Sequence, residues 1–445
     1  MMRIIPGRSI NGRLRLPGDK SISHRAALIA ALAHEKSEIS NFSTARDCAS
    51  TLGCLRSLGV SIDFNDDRIV VEGNHELVAP REPLDCGNSG STLRILAGVL
   101  AGHDFTSEMI GDESLSSRPM RRIIEPLELM GARIESRDGR APLIVHGVKE
   151  PVPITYELPV ASAQVKSAVL FAGLNARGRT TVIETTPSRD HTERLFNGFG
   201  VRVTTEGEGS TQGRPQSAAP TVRAETTITI EGPARFEGGA IRVPGDVSSA
   251  AYFVAAAMLL PQSELTIEGV GLNPTRAAFL SVLKSWGGDV ETTDVQEERN
   301  EPYGTINVRG GMSGDVTDRT LGRVMIPSLI DELPLLAVVG SQIDGGIQIR
   351  DASELRLKES DRLATTAANL RAMGAEVEEF PDGLSVSGPT KLHGALLDSH
   401  GDHRIAMAFA VAALLAEEES EISGAECVAI SFPEFFPLLE SLIRR

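Results

Sequence analysis

LRSLGVSID, Leu55–Asp63, carries a helix end into a strand across one glycine, and the pattern returns four more times. The other copies are LELMGARIE (Leu127–Glu135), FNGFGVRVT (Phe196–Thr204), LKSWGGDVE (Leu283–Glu291) and LRAMGAEVE (Leu370–Glu378). Each has Leu or Phe four positions before the glycine. Glycine is what a helix C-terminus takes when it turns through the left-handed conformation, and the residues beyond it alternate with the period of a strand. Ala-rich helices resemble one another by chance once, but not five times at a spacing of about 75 residues. The chain is built from an internal repeat.

Working outward, each copy is preceded by a strand end, small or polar residues, and an Ala/Leu-rich helix. Six such segments begin near Pro17 (PGDKSISHRAALIAAL), Asp85 (DCGNSGSTLRILAGVL), Pro159 (PVASAQVKSAVLFAGL), Pro244 (PGDVSSAAYFVAAAML), Pro327 (PSLIDELPLLAVVG) and Asp398 (DSHGDHRIAMAFAVAALL). The terminal FFPLLESLIRR reads as a sixth helix with its strand omitted. The stem RLPGDKS (Arg15–Ser21) returns as RVPGDVS (Arg242–Ser248), which splits the chain into two halves of three repeats. At 445 residues the chain is too long for one ordinary core. The expectation is an α/β protein of two similar domains, joined where the two PGD segments cross. The polar segments Thr204–Thr226 and Thr292–Pro302 read as extended hairpin loops.

A net charge of −16 argues against nucleic acid or an anionic membrane as partner. It leaves room for an anionic small molecule, because a local group of Lys and Arg overrides the global sign. The four cysteines (Cys48, Cys54, Cys86, Cys427) match no zinc or redox spacing. MMRIIPGRS lacks the apolar run of a secretory signal, and the apolar stretches near Ala250–Leu260 and Ile405–Ala416 fall short of the roughly 20 residues that span a bilayer. A cytoplasmic protein with reduced core cysteines is expected.

In every repeat the polar signature falls at a helix N-terminus, where unpaired N–H groups and the dipole favour an anion. Six such termini could converge on one cleft between the domains. The cations in these zones are Lys20, Arg25, Arg94, Lys166 and Arg404, followed by Arg118, Arg121, Arg122, Arg189, Lys358 and Arg362. Guanidinium forks suit carboxylates and phosphates, and lysine serves a phosphate as a point charge. GDKS at Gly18–Ser21 lacks the spacing of a P-loop, and no G-x-G-x-x-G follows a strand. His400 and His403 form H-x-x-H without a third ligand nearby, so His403 reads as a hydrogen-bonding residue rather than a metal ligand. Asp331 in IPSLIDELP and Glu359 in LKESDRL are the carboxylates placed to do acid–base work. Taken alone, Glu359 three before Arg362 would be an ordinary helical ion pair.

The segments LPGDKSISHRAALIAALA, GNSGSTLR, SSRPM, SAQVKSA, RDHTE, LIDELP, LKESDRL and GDHRIAMAFA resemble, in order, those of the 5-enolpyruvylshikimate-3-phosphate synthases, from about Pro6 to Pro437. SAQVKSAVLFAGL with SRDHTE is similar to the bacterial branch carrying Ala before the Gln. The resemblance implies two domains, each a threefold βαβαββ repeat forming an inverse α/β barrel, with the active site in the cleft between them. One domain would comprise residues 1–16 and 244–445, the other 17–243. By the same resemblance Lys20, Ser21, Arg25, Ser162, Ala163, Gln164, Arg189, Asp331 and Lys358 would hold shikimate 3-phosphate. Lys20, Gly90, Arg118, Gln164, Arg362 and Arg404 would hold phosphoenolpyruvate, a subsite that the herbicide glyphosate also occupies. Asp331 would take or orient the proton of the attacking 5-hydroxyl, while Glu359 and Lys20 would manage the proton at the methylene carbon. No metal or organic cofactor is implied, and the protein is expected to act as a monomer.

One departure stands out. Some relatives carry a lysine just before the terminal [ST]-[FY]-P motif, whereas this chain reads CVAISFPEFF, with Ile430 and Ser431. No substrate contact is assigned there. The rival reading, a UDP-N-acetylglucosamine enolpyruvyl transferase, would have a reactive cysteine near Arg118 and Asn after Lys20. The sequence has Ser116–Ser117–Arg118–Pro119 and Lys20–Ser21 instead. A non-catalytic anion-binding scaffold would be expected to lack Lys20, Asp331 or Glu359, and all three are present.

Overall fold

The five repeated glycines all have positive φ: Gly59 at 87°, Gly131 at 100°, Gly200 at 83°, Gly287 at 87° and Gly374 at 90°. Four of the turns close with the six-residue bond of a Schellman motif. Val60 N–H donates to Leu55 O at 3.1 Å, Ala132 to Leu127 at 3.2 Å, Val201 to Phe196 at 2.8 Å and Ala375 to Leu370 at 3.0 Å. A side chain with a Cβ would be strained at each glycine. The repeat seen in the sequence is therefore a repeated helix stop.

This is a computed structural model, and it describes every residue except 66–67, 75, 208–224, 313–315 and 317. The chain divides into two compact units, one of Met1–Asp19, Pro244–Gln296 and Pro302–Arg445, the other of Lys20–Val243 with Glu297–Glu301. Each has its own apolar core.

In the Lys20–Val243 unit three four-stranded sheets share one topology. The strand orders are Ala240–Arg242, His34–Ser40, Arg68–Asn74, Ser61–Asn65; then Leu84–Asp85, Thr106–Ile110, Arg140–His146, Arg133–Arg137; then Thr155–Glu157, Gly178–Glu184, Thr226–Gly232, Val203–Glu206. Each begins with a parallel pair and continues antiparallel. Helices Lys20–Leu32, Gly90–Ala101 and Ala163–Gly173 are buried along nearly their whole lengths, as apolarity on all sides requires. Their small side chains permit close crossing, so that a Cβ on Gly98 would lie 2.2 Å from the Ala168 carbonyl oxygen.

The other unit varies the same plan. Its sheet Thr320–Leu321, Ile347–Ile349, Gly383–Val386, Val377–Phe380 repeats the pattern. In a second sheet Leu396–Asp398 and Ser420–Ser423 run parallel, and the N-terminal strand Met2–Ile4 supplies the third position. The third sheet places Ser9–Arg15 parallel to Glu264–Gly271, next to the hairpin Glu301–Met312 and Gly288–Glu298. The last helix, Phe435–Leu442, does not end strandless as expected, because Ile443–Arg444 pairs with Ser9–Ile10.

Two further readings change. Thr292–Pro302 is mostly strand: the hairpin runs to Glu298 and turns through Arg299 and Asn300, at φ 49° and 65°. A two-residue turn with both φ positive matches strand twist, so polar residues here extend the hairpin. Near Asp331 the expected single helix is two, Ile326–Leu329 and Leu333–Gly340, with Asp331 in the turn between them. Of the Thr204–Thr226 segment, the flanking strands pair as a hairpin, and residues 208–224 lie outside the described residues.

Candidate active site

Lys20 is the first residue of helix Lys20–Leu32, and its Nζ lies 2.9 Å from Asp47 Oδ2. Asp47 stands in the first turn of helix Arg46–Ser57, where an acid complements the dipole. One turn beyond Lys20, His24 Nδ1 meets Thr51 Oγ1 at 2.7 Å. Thr51 meets Thr92 Oγ1, also at 2.7 Å, and Thr92 bonds the cap residue Ser89 immediately before Gly90. The starts of two helices are thus joined by a buried polar chain.

A second chain reaches the helix Ala163–Gly173. Gln164 accepts from Arg94 Nη1 at 2.7 Å and donates to Ser91 Oγ at 3.0 Å. Arg25, 3% exposed, donates from Nε to Thr192 Oγ1 at 2.7 Å, from Nη2 to Ser167 Oγ at 2.9 Å and from Nη1 to Ser21 O at 2.9 Å. Arg118 donates to Asn88 Oδ1 at 2.8 Å. Ser162 caps its helix by accepting from Val165 N–H, which leaves Ala163 as the first helical residue. Gly90 has ordinary φ; its distinction is what surrounds it. A Cβ there would lie 2.9 Å from Arg94 Nη1 and 3.4 Å from Arg118 Nη1. Lys20, Arg25, Gly90, Arg118, Ser162 and Gln164 thus lie at or near these helix starts in one unit, together with Arg94. Arg189 lies just before helix His191–Gly198 and is partly buried.

Lys166 does not join them. It is 1% exposed, with Nζ 2.9 Å from Glu184 Oε2 and 2.7 Å from Glu193 Oε1. Burial alone lowers its pKa, and Glu193 and Glu184 outweigh burial to hold it above the usual lysine value. The anions that Lys166 meets are two buried carboxylates of the protein itself.

The other unit holds the second group. Arg362, 2% exposed, opens helix Arg362–Ala372 and donates from Nε to Asp402 Oδ2 at 2.7 Å, from Nη2 to Glu359 Oε2 at 2.6 Å and from Nη1 to Asp331 Oδ1 at 3.3 Å. The Glu359–Arg362 pair forms, but Lys358 and Glu359 precede the helix in extended backbone and loop, so it is not the helical pair that spacing suggested. Arg404 lies 3.7 Å from Asp331 Oδ2 and 3.4 Å from Glu332 Oε1. Burial pulls the pKa of Arg362 down, and Asp402, Glu359 and Asp331 more than restore it, so three carboxylates face a permanent cation. Asp331 and Glu359 therefore both sit against guanidinium groups.

His403 is buried as the first residue of helix His403–Leu415, and His400 turns at positive φ. Among the described residues, the group with ligand atoms close enough for an ion is the exposed His393, Glu417 and Glu418, within 4.8 Å of one another. Ile430 and Ser431 end a 3-10 turn, and Phe432 beside them packs on Phe253 and Phe435, so the segment that lacks the lysine serves packing. Sequence reasoning missed Asp47 and Asp402, the partners of Lys20 and Arg362. A signal existed: Gly18–Asp19, Gly245–Asp246 and Gly401–Asp402 are the same dipeptide at three helix starts.

The family model described as EPSP synthase (3-phosphoshikimate 1-carboxyvinyltransferase) matches residues 4–439. The chain belongs to the EPSP synthase family. A 3-phosphoshikimate 1-carboxyvinyltransferase of Koribacter versatilis is 51% identical over 447 residues, covering 100% of this chain and 99% of the relative. The EPSP synthase structure from Acinetobacter baumannii, at 37% identity and a TM-score of 0.85, covers 99% of this chain and 98% of that one. The enolpyruvyl transferase NikO from Streptomyces tendae, 18% identical with a TM-score of 0.76 and covering 99% and 96%, shares the fold. The α/β fold class and the EPSP synthase resemblance read from the repeats and motifs both hold.

One pH effect follows from the Lys20 neighbourhood. Burial, then Lys20 and Arg25, hold the His24 pKa well below the usual histidine value. The folded protein keeps His24 neutral while the unfolded chain protonates below about pH 6.5. Its contribution is whole above that pH and lost as pH falls. The thermal midpoint is expected to drop between pH 7 and pH 5 more in the wild type than in His24→Gln. Parallel slopes in the two proteins would contradict this account.

Proposed function

We propose that the chain transfers the enolpyruvyl group of phosphoenolpyruvate to the 5-hydroxyl of shikimate 3-phosphate and releases phosphate. The observation that carries the reading is the pairing of family membership with two groups of fixed cations, each holding a carboxylate or lysine suited to proton transfer. Ser21, Arg25, Ser162, Ala163, Gln164, Arg189 and Lys358 hold shikimate 3-phosphate; Gly90, Arg118, Gln164, Arg362 and Arg404 hold phosphoenolpyruvate, with Lys20 serving both. Asp331 takes the 5-hydroxyl proton as the oxygen attacks C2, and C3 gains a proton through Lys20 or Glu359. The tetrahedral adduct then loses a methyl proton to that same pair while phosphate leaves, restoring the double bond. Positioned proton carriers contribute about a hundredfold to ten-thousandfold, and preset cations stabilise charge that grows on phosphate. The four cysteines are buried and in no disulfide, which supports a cytoplasmic site of action, and we take the working form to be a monomer.

Product analysis tests the reaction. With both substrates present, mass spectrometry is expected to show the 5-enolpyruvyl ether and phosphate in equal amounts, unaffected by EDTA. Loss of the ether signal on chelation, or an ether on another hydroxyl, would contradict the reading.

Gly90 tests the phosphoenolpyruvate subsite. Its added methyl would crowd the Arg94 and Arg118 guanidinium ends and would meet glyphosate, which extends farther than the substrate. One methyl discriminates by about 1–3 kcal/mol, roughly tenfold to a hundredfold. Gly90→Ala is expected to raise the glyphosate inhibition constant by more than the KM for phosphoenolpyruvate. A ratio of the two that does not rise would remove Gly90 from the subsite.

A further inference from the structure

Arg276 lies in the loop between strand Glu264–Gly271 and helix Ala278–Ser285, and it is 1% exposed. The loop is fixed locally: Asn273 Oδ1 accepts from Thr275 N–H at 2.9 Å and from Thr275 Oγ1 at 2.7 Å, and Asn273 O accepts from Arg276 N–H at 2.9 Å. The guanidinium meets three carboxylates. Nη1 lies 3.2 Å from Asp331 Oδ2, Nη2 3.8 Å from Asp246 Oδ1 and Nε 3.9 Å from Asp19 Oδ2.

Two of these acids belong to the repeated PGD turns, which face each other. Gly18 and Gly245 pair in an antiparallel bridge, Asp19 N–H donates to Pro244 O at 2.8 Å, and Asp246 N–H donates to Pro17 O at 3.0 Å. Asp246 also caps its helix through Ser248 and Ser249 N–H. Each turn therefore brings one carboxylate to the guanidinium, and the shortest of its three contacts reaches Asp331. Asp331 itself sits in a turn between two short helices. Arg362 Nη1 and Arg404 Nη2 approach it as well, at 3.3 and 3.7 Å. Of the three cations, Arg276 is the one with no place in the substrate-holding set above.

We propose that Arg276 is a positioning residue for the reaction: it fixes the Asp331 carboxylate for the 5-hydroxyl proton and anchors it to both PGD turns. The proposal rests on the reading of Asp331 as the proton acceptor. A planar fork contacts three acids at once, which an ammonium point charge does not reproduce. Arg276→Lys keeps a cation among the acids, so the fold is retained while the fork is lost. A small misplacement of a reacting group costs up to about a hundredfold.

The test is a double-mutant cycle of Arg276→Lys and Asp331→Asn, read as kcat, both KM values and thermal melting. Arg276→Lys is expected to lower kcat about tenfold or more, with both KM values within about twofold of wild type. In the Asp331→Asn background the same change is expected to lower kcat by no more than about twofold, because the group it positions is already gone. Wild-type kcat in Arg276→Lys, equal losses in the two backgrounds, or failure of Arg276→Lys to melt cooperatively would each overturn the proposal. Wild-type kcat in Asp331→Asn alone would instead sink the reading of Asp331 on which it rests.

Discussion

Glu359→Gln, Asp331→Asn and Lys20→Met are each expected to lower turnover about a hundredfold or more, with melting close to wild type. The three act at different steps. Asp331→Asn keeps the shape of the side chain and removes the acceptor of the hydroxyl proton. Glu359→Gln removes a group that shuttles a proton at the methylene carbon, and its amide still reaches Arg362. Lys20→Met takes away both a cation and a proton carrier, and it leaves Asp47, 9% exposed at its side chain, without its 2.9 Å partner. Its effect on stability is therefore expected to be the largest of the three. Single-turnover rates separate chemistry from binding, and wild-type rates in any variant would remove that residue from its role.

The second large effect is on stability rather than rate. Lys166→Met leaves Glu184 and Glu193 buried with no cation between them. Breaking a buried pair by removing one partner costs about 3–5 kcal/mol, which for a unit of this size lowers the midpoint by about 10 °C or more. Because the folded pKa of Lys166 is raised, its contribution is whole below the unfolded value of about 10.5 and is lost only as pH rises beyond the folded value. Changing Glu184 and Glu193 to Gln alongside Lys166→Met is expected to recover much of the loss, since no charge then stays buried. A Lys166→Met protein that melts like wild type but has lost shikimate 3-phosphate affinity would mean that the lysine binds substrate after all.

The repeat was legible because a helix stop needs glycine with positive φ, and Gly59, Gly131, Gly200, Gly287 and Gly374 supply it in a fixed pattern. Helix starts were legible because Ser89, Ser162, Asp246, Asp361 and Asp402 are side-chain caps. Burial of cations was not. Lys166 and Arg94 look alike one turn or less into their helices, yet Lys166 sits between two acids while Arg94 bonds Gln164. Those acids, Glu184 and Glu193, lie 18 and 27 positions later in the chain, and no local pattern joins them to Lys166. Arg276 was hidden for the same reason, since its acids come from positions 19, 246 and 331. The hairpin at Thr292–Pro302 was misread because its polar residues lie on strands that extend beyond the core, where alternation of apolar residues fades.

The central claim is that this chain acts on shikimate 3-phosphate, and phosphate release from phosphoenolpyruvate measures it most directly. Rates are compared with shikimate 3-phosphate, with UDP-N-acetylglucosamine, and with neither. Release is expected only with shikimate 3-phosphate; release with the UDP-sugar, or equal release in all three, would contradict that claim.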